Sequence, residues 1–220
     1  MPKKLGIAIV AMGAVLIISA LLLLLYNRRE DARAGQEAES LLANVEAAIP
    51  SNDAKDKEPP SQEELTPEMP VVMLSDYEYV GYLTIPSLGL KLPVMADSDY
   101  ARLRLAPCRQ FGSSRTDDLV IAAHNYENHF GRLKELSEGD TVTFTDMEGI
   151  VNTYAVEKRE TLNPEEVDAV QNSGYDLVLY TCTKGGKSRV TVFCDRSAEL
   201  AFSAAPPQSP RKRNCCCKAA

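Results

Sequence analysis

Three residue types able to carry out acyl transfer stand at the ends of apolar, strand-forming runs: a thiol at Cys182, an imidazole at His124 and a guanidinium at Arg189. Residues 177–181 read Leu-Val-Leu-Tyr-Thr, a β-prone run that delivers Cys182 at its end. A Gly185-Gly186 turn follows, and Arg189 opens the returning strand Arg-Val-Thr-Val-Phe. The turn brings the thiol beside a fixed cation. His124 closes a second apolar run, Leu-Val-Ile-Ala-Ala at residues 119–123, so the three groups can converge at one rim of a sheet. A thiolate nucleophile, an imidazole to move protons and a permanent cation are the parts of a cysteine acyl-transfer site.

Each residue has a plainer reading when taken singly. Cysteine is among the most buried residue types, a strand-end histidine can be satisfied structurally, and a lone arginine is ordinarily a surface cation. It is their joint appearance in order, each at a strand boundary, that favours chemistry.

The elements that must position these groups occupy the middle of a 220-residue chain of formal charge −7. Residues 5–26 carry no charged side chain, and as a helix they would span roughly 30 Å of hydrocarbon. This segment is read as a membrane anchor rather than a secretory signal. Its apolar core is longer than the usual 7 to 15 residues, and no small-x-small cleavage site precedes Arg28 and Arg29. Lys3 and Lys4 on one side face Arg28, Arg29 and Arg33 on the other, so the distribution of positive charge leaves orientation open.

The predicted domains are an anchor at 1–29, a helical stalk and linker at 30–75, a β-rich body at 76–200 and a tail at 201–220. Leu41, Leu42, Val45 and Ile49 give the stalk an apolar face at helical spacing. Residues 50–70, dense in Pro, Glu, Asp, Lys and Ser, read as a tether holding the body off the membrane. Within the body, short strands are expected at 80–85, 90–94, 119–123, 141–145, 151–160, 177–181 and 189–195. That spacing suggests a barrel or a sandwich. One short helix is expected toward Val170, capped by Asn163 with Pro164 at its first position.

Of the six cysteines, Cys108 and Cys194 are expected in the core, with a disulfide between them possible. Cys215, Cys216 and Cys217 lie in a basic terminal tract read as a disordered tail. The only histidines are His124 and His129, and no paired CxxC accompanies them, which argues against structural zinc. His129 is expected to be exposed scaffold or groove rim. Asp117-Asp118 reads as a turn before the histidine strand, without carboxylates enough nearby for calcium. The acidic balance, and a body without basic patches interleaved with aromatics, exclude nucleic acid as the main partner.

Gly81-Tyr82-Leu83-Thr84-Ile85-Pro86, Ala123-His124-Asn125, Leu179-Tyr180-Thr181-Cys182 and Arg189 together resemble the sortases, membrane-anchored cysteine transpeptidases of Gram-positive bacteria. The resemblance covers residues 79–195. It implies an all-β fold, a closed barrel of about eight strands with one or two short helices, preceded by the transmembrane helix and linker. It further implies cleavage of an LPxTG- or NPxTN-type C-terminal sorting signal of a surface protein, through a thioester on Cys182. Transfer to an amine of peptidoglycan or its precursor would follow, with no cofactor or metal.

In that scheme His124 is general acid and then base, Arg189 stabilises the oxyanion or holds the substrate backbone, and Thr181 adds a hydroxyl contact to substrate. The catalytic domain is expected outside the cell, with the N-terminus inside. Only six residues separate Cys182 from Arg189, and no lid or second membrane segment typical of pilin-polymerising members is visible. This favours a protein-anchoring enzyme of class B or class D. Two rivals stand beside it: an L,D-transpeptidase, whose Ser-His-Gly-Cys type segment this chain lacks, and a membrane-tethered binding domain with a buried cysteine.

Overall fold

In a computed structural model of the chain, residues 3–50 and 66–197 are described. Nine strands are β1 (Val72–Leu74), β2 (Tyr77–Ile85), β3 (Leu90–Met95), β4 (Cys108–Phe111), β5 (Leu119–Ala123), β6 (Thr141–Asp146), β7 (Val151–Leu162), β8 (Leu177–Cys182) and β9 (Arg189–Arg196). Three α-helices join them: α1 (Lys3–Ala48), α2 (Tyr100–Leu105) and α3 (Val167–Gln171). The sheet runs β1-β2-β3-β4-β5-β8-β9-β7-β6, and pairing of β2 with β6 closes strands β2 to β9 into an eight-stranded barrel. Closure decides between the two architectures left open by the strand spacing, and it removes free edges. Most pairs are antiparallel, whereas β5 and β8 run parallel after a long excursion through β6, β7 and α3.

Closure depends on Gly81. Its φ is +149°, and a Cβ there would lie 2.0 Å from the Thr145 carbonyl oxygen on β6, so only glycine permits this approach. Val80, Leu83, Ile85, Ile121, Phe144, Leu179 and Val192 fill the interior. Arg115 is buried across the barrel end against the carboxylate of Asp146 at 3.1 Å. Asp117 adopts φ +55° in the turn before β5 and pairs with Arg196 on β9, so this acidic pair forms a structural turn.

Several expectations are corrected by packing. The stalk is not a separate element. α1 continues without interruption from its apolar stretch and lays Ala34, Ala38, Leu42 and Val45, all buried, against the barrel. These positions recur at helical spacing, and the small Ala34, Gly35 and Ala38 allow close approach. The part of α1 expected as a free-standing stalk is therefore packed on the body. Most of the proline-rich stretch falls in residues 51–65, outside the described residues, as does the 201–220 tail with Cys215, Cys216 and Cys217.

The body also begins earlier than residue 76, because β1 pairs with β2 and Met69 is buried. α2 and β4 were not expected from the sequence. β7 runs on to Leu162, and Asn163 and Pro164 lie in a turn. α3 starts only at Val167, with Glu166 rather than Asn163 at its N-cap. Cys108 and Cys194 are both buried and free, in different apolar clusters, so no disulfide joins them.

Candidate active site

Strand register places the three chemistry-bearing residues in one row. β5 and β8 pair with Ala123 opposite Thr181, and β8 and β9 pair with Cys182 opposite Arg189. His124, the residue after Ala123, thus reaches the level of Cys182 on the neighbouring strand. Neighbouring strands lie about 4.8 Å apart.

Side-chain direction follows from the two-residue period of a strand. Leu177 and Leu179 on β8, Ile121 and Ala123 on β5, and Val190, Val192 and Cys194 on β9 all belong to the barrel interior. Val178 and Tyr180 on β8, Val120 on β5 and Phe193 on β9 belong instead to a cluster on the outer wall with α3. Extending the alternation puts Cys182, His124 and Arg189 on the outer wall as well. Behind this row lies a second, Ala122, Tyr180 and Thr191, and behind that a third, Val120, Val178 and Phe193. The result is a wall that grades from polar and titratable to apolar. The small Ala122 leaves room beside Tyr180.

Cys182 is half-buried, unlike Cys108 and Cys194, where burial pushes the Cys108 thiol up to about 12 and the Cys194 thiol upward as well. Among the described residues, Cys182 is thus the one thiol left partly accessible.

Arg189 donates from one terminal nitrogen to the carbonyls of Gly186 and Ser188, each at 3.2 Å. The loop that receives it is closed by Thr183 N–H to Ser188 carbonyl (2.9 Å) and Gly186 N–H to Thr183 carbonyl (2.8 Å). Gly185 and Gly186 both take positive φ, +92° and +73°, which explains the Gly-Gly pair. The guanidinium is held at its edge, so the planar group is oriented before any substrate arrives.

His124 is enclosed by residues that the sequence reading missed. Its ring meets Tyr100 of α2 edge-on, with centroids 5.5 Å apart, and Tyr126 at 5.1 Å. Burial, and then the nearby Arg104 cation, hold its pKa below the usual imidazole value. Its Nε2 has no hydrogen-bond partner among the described residues, so a second ring proton would find no acceptor there. The signal for α2 was present in the sequence. Asp99 caps it through a 2.7 Å bond from Arg102 N–H, ahead of a short Ala-Arg-Leu-Arg-Leu run.

One expected substrate contact, Thr181, and one residue expected to be exposed, His129, turn inward. Thr181 is 3% exposed, and its hydroxyl donates to the Ala123 carbonyl at 2.8 Å, so that group ties the cysteine strand to the histidine strand instead of facing a substrate. His129 is fully buried rather than at a groove rim. It sits beneath α1 against Tyr126, and burial pushes its pKa down to about 4. The Ala34 carbonyl and Asp31 oppose that shift only in part.

α1 reaches the site's border through two polar contacts. Arg104 donates to Glu30 at 3.3 Å, and the Asn128 side-chain amide donates to the Asp31 carbonyl at 3.1 Å. No group of three or more metal-ligating side chains occurs among the described residues.

Comparison with known proteins bears on the fold and the family. The fold matches sortase C1 from Streptococcus suis (25% identity, TM-score 0.50, 57% of this chain and 76% of that one). It also matches a Clostridium perfringens sortase D5 transpeptidase (16%, 0.55, 74% and 99%) and sortase C1 from Streptococcus agalactiae (22%, 0.53, 74% and 98%). No curated protein matches the chain. The sortase domain model covers residues 83–197, more than half of the sequence and the whole row of His124, Cys182 and Arg189, and the chain therefore belongs to the sortase family of cysteine transpeptidases.

Proposed function

We propose that Cys182, His124 and Arg189 are the catalytic residues of this transpeptidase, that its substrate is an LPxTG- or NPxTN-type sorting signal of a surface protein, and that its acceptor is an amine of peptidoglycan or its precursor. The observation that carries the assignment is their alignment across β5, β8 and β9 on the outer wall.

The Cys182 thiolate attacks the scissile carbonyl carbon. Negative charge develops on the carbonyl oxygen, and the preoriented Arg189 guanidinium stabilises it or holds the adjoining substrate backbone. Collapse of the adduct breaks the C–N bond, and His124 as imidazolium protonates the departing amine. The thioester conserves acyl-transfer potential until the acceptor amine attacks. His124 then takes the proton of that amine, and the Cys182 thiolate leaves. Thr181 acts as a positioning residue that keeps the first two groups in register.

α1 supports a place in the membrane, as a single helix long and apolar enough to cross one, with large apolar side chains such as Ile7, Leu16 and Leu23 about two-thirds exposed. In this reading the barrel faces outward and meets substrate at the cell surface. The short Gly-rich turn between Cys182 and Arg189 favours a protein-anchoring enzyme of class B or D kind.

The test uses the full chain in detergent with LPxTG and NPxTN peptides, followed by mass detection of an acyl adduct. An adduct on Cys182, absent in Cys182→Ala, is expected. A Cys182 that forms no adduct with any peptide and stays unmodified by thiol reagents would overturn the assignment and favour a binding domain.

A further inference from the structure

α1 leaves its apolar stretch at Tyr26, and four residues on Glu30 pairs with Arg104 of α2. Four residues of helix rise only about 6 Å, comparable to the roughly 5–8 Å depth of one headgroup layer. No spacer separates the apolar helix from the catalytic body. A cavity of about 1070 Å³ lies between them, with Leu23 and Leu24 on the helix side and Tyr100, Arg104, Tyr126 and Lys184 on the barrel side. The last four residues belong to α2, the segment after His124 and the turn after Cys182, which together make the border of the active site.

A space walled by leucines on one side and by tyrosines and long cations on the other has the composition of a bilayer interface, where tyrosine rings and snorkelling side chains concentrate. Tyr100 is 73% exposed, although its ring meets His124 on one side. Charge does not drive this contact, since Glu30, Asp31 and Glu127 offset Arg28, Arg104 and Lys184 around the cavity. Depth along the helix drives it. The same helix supplies a ruler in the other direction, because Glu46 pairs with Lys91 on β3, twenty residues and about 30 Å beyond Tyr26.

Resting on the reading of α1 as a membrane anchor, we propose that the border of the active site is seated in the headgroup layer of the bilayer that α1 crosses, with phospholipid filling the cavity between helix and barrel. The catalytic row then opens at the membrane plane, and the far end of β3 stands clear of it. Polypeptide emerging from the same leaflet reaches Cys182 without leaving the interface. Soluble polypeptide must displace lipid to do so.

The experiment uses the full-length protein in phosphatidylcholine liposomes, with a benzophenone side chain replacing one residue at a time: Ile9 in the apolar stretch, Lys184 at the active-site border, or Lys91 at the far end. Irradiation and mass analysis then read lipid adducts. Adducts at positions 9 and 184, at least ten-fold above position 91, are expected. Adducts at 9 without adducts at 184, or equal yields at 184 and 91, overturn the inference while leaving the anchor intact. Loss of adducts at 9, with release of the protein by alkaline carbonate, overturns the anchor reading and the inference with it.

Discussion

The Thr181 hydroxyl offers the sharpest test of how the site is held together. Thr181→Val keeps the side-chain shape and removes one hydrogen bond, the 2.8 Å donation to the Ala123 carbonyl. At 3% exposure water has little access to replace it, so the loss combines a net hydrogen bond with an acceptor left poorly satisfied. Together these cost about 1–2 kcal/mol. For a domain of this size that is a fall of roughly 3–8 °C in Tm. The same bond fixes the residue before His124 to the residue before Cys182. Its loss lets two reacting groups drift, and a displacement of a fraction of an ångström should lower kcat about 3- to 30-fold with KM nearly constant. The assay is acyl-adduct formation with a sorting-signal peptide across a substrate range, paired with a thermal melt. Thr181→Ser, which retains the hydroxyl, should recover most of both properties. A Thr181→Val enzyme with native Tm and kcat but raised KM would refute the tie and return the hydroxyl to substrate contact.

Arg189→Lys keeps the charge but loses the planar fork, and acylation measured in single turnover should fall about 10²- to 10³-fold with little change in Tm. The pH profile of acylation should be bell-shaped. Because the Arg104 cation helps hold the His124 pKa down, Arg104→Gln should move the acid limb to higher pH, and an unmoved limb would separate that limb from His124. His129 has its pKa lowered from 6.5 to about 4, so the unfolded chain binds its proton first as pH falls. Its contribution to stability is complete above about pH 6.5 and is lost as pH falls through about 4, by up to about 3 kcal/mol. Denaturant midpoints in that window should fall with pH in the native chain and fall less in His129→Phe.

What the order of residues determined by itself is the nearness of Cys182 to Arg189 and the place of His124 at the end of an apolar strand. Cys182 and Arg189 are joined by a six-residue turn, and the positive φ of Gly185 and Gly186 is a local demand that glycine alone meets easily. The alternation of β5, β8 and β9 assigns each side chain to a face without reference to distant parts of the chain. The apolar face of the α1 segment after residue 30 was legible for the same reason, through Leu42 and Val45.

Tertiary structure decided what those faces meet. His129 is buried and Thr181 is committed because α1 and β5 cover them, and periodicity along one strand or loop carries no information about a covering element. Asp31 and Asn128 meet across 97 residues, and Tyr100 and Arg104 reach His124 from a helix whose only local mark was an aspartate cap. The same long-range contact turns the presumed stalk into a clamp on the barrel wall. Local pattern dictates which way a side chain points, whereas only closure of the barrel and docking of the helix dictate whether water, protein or lipid lies there.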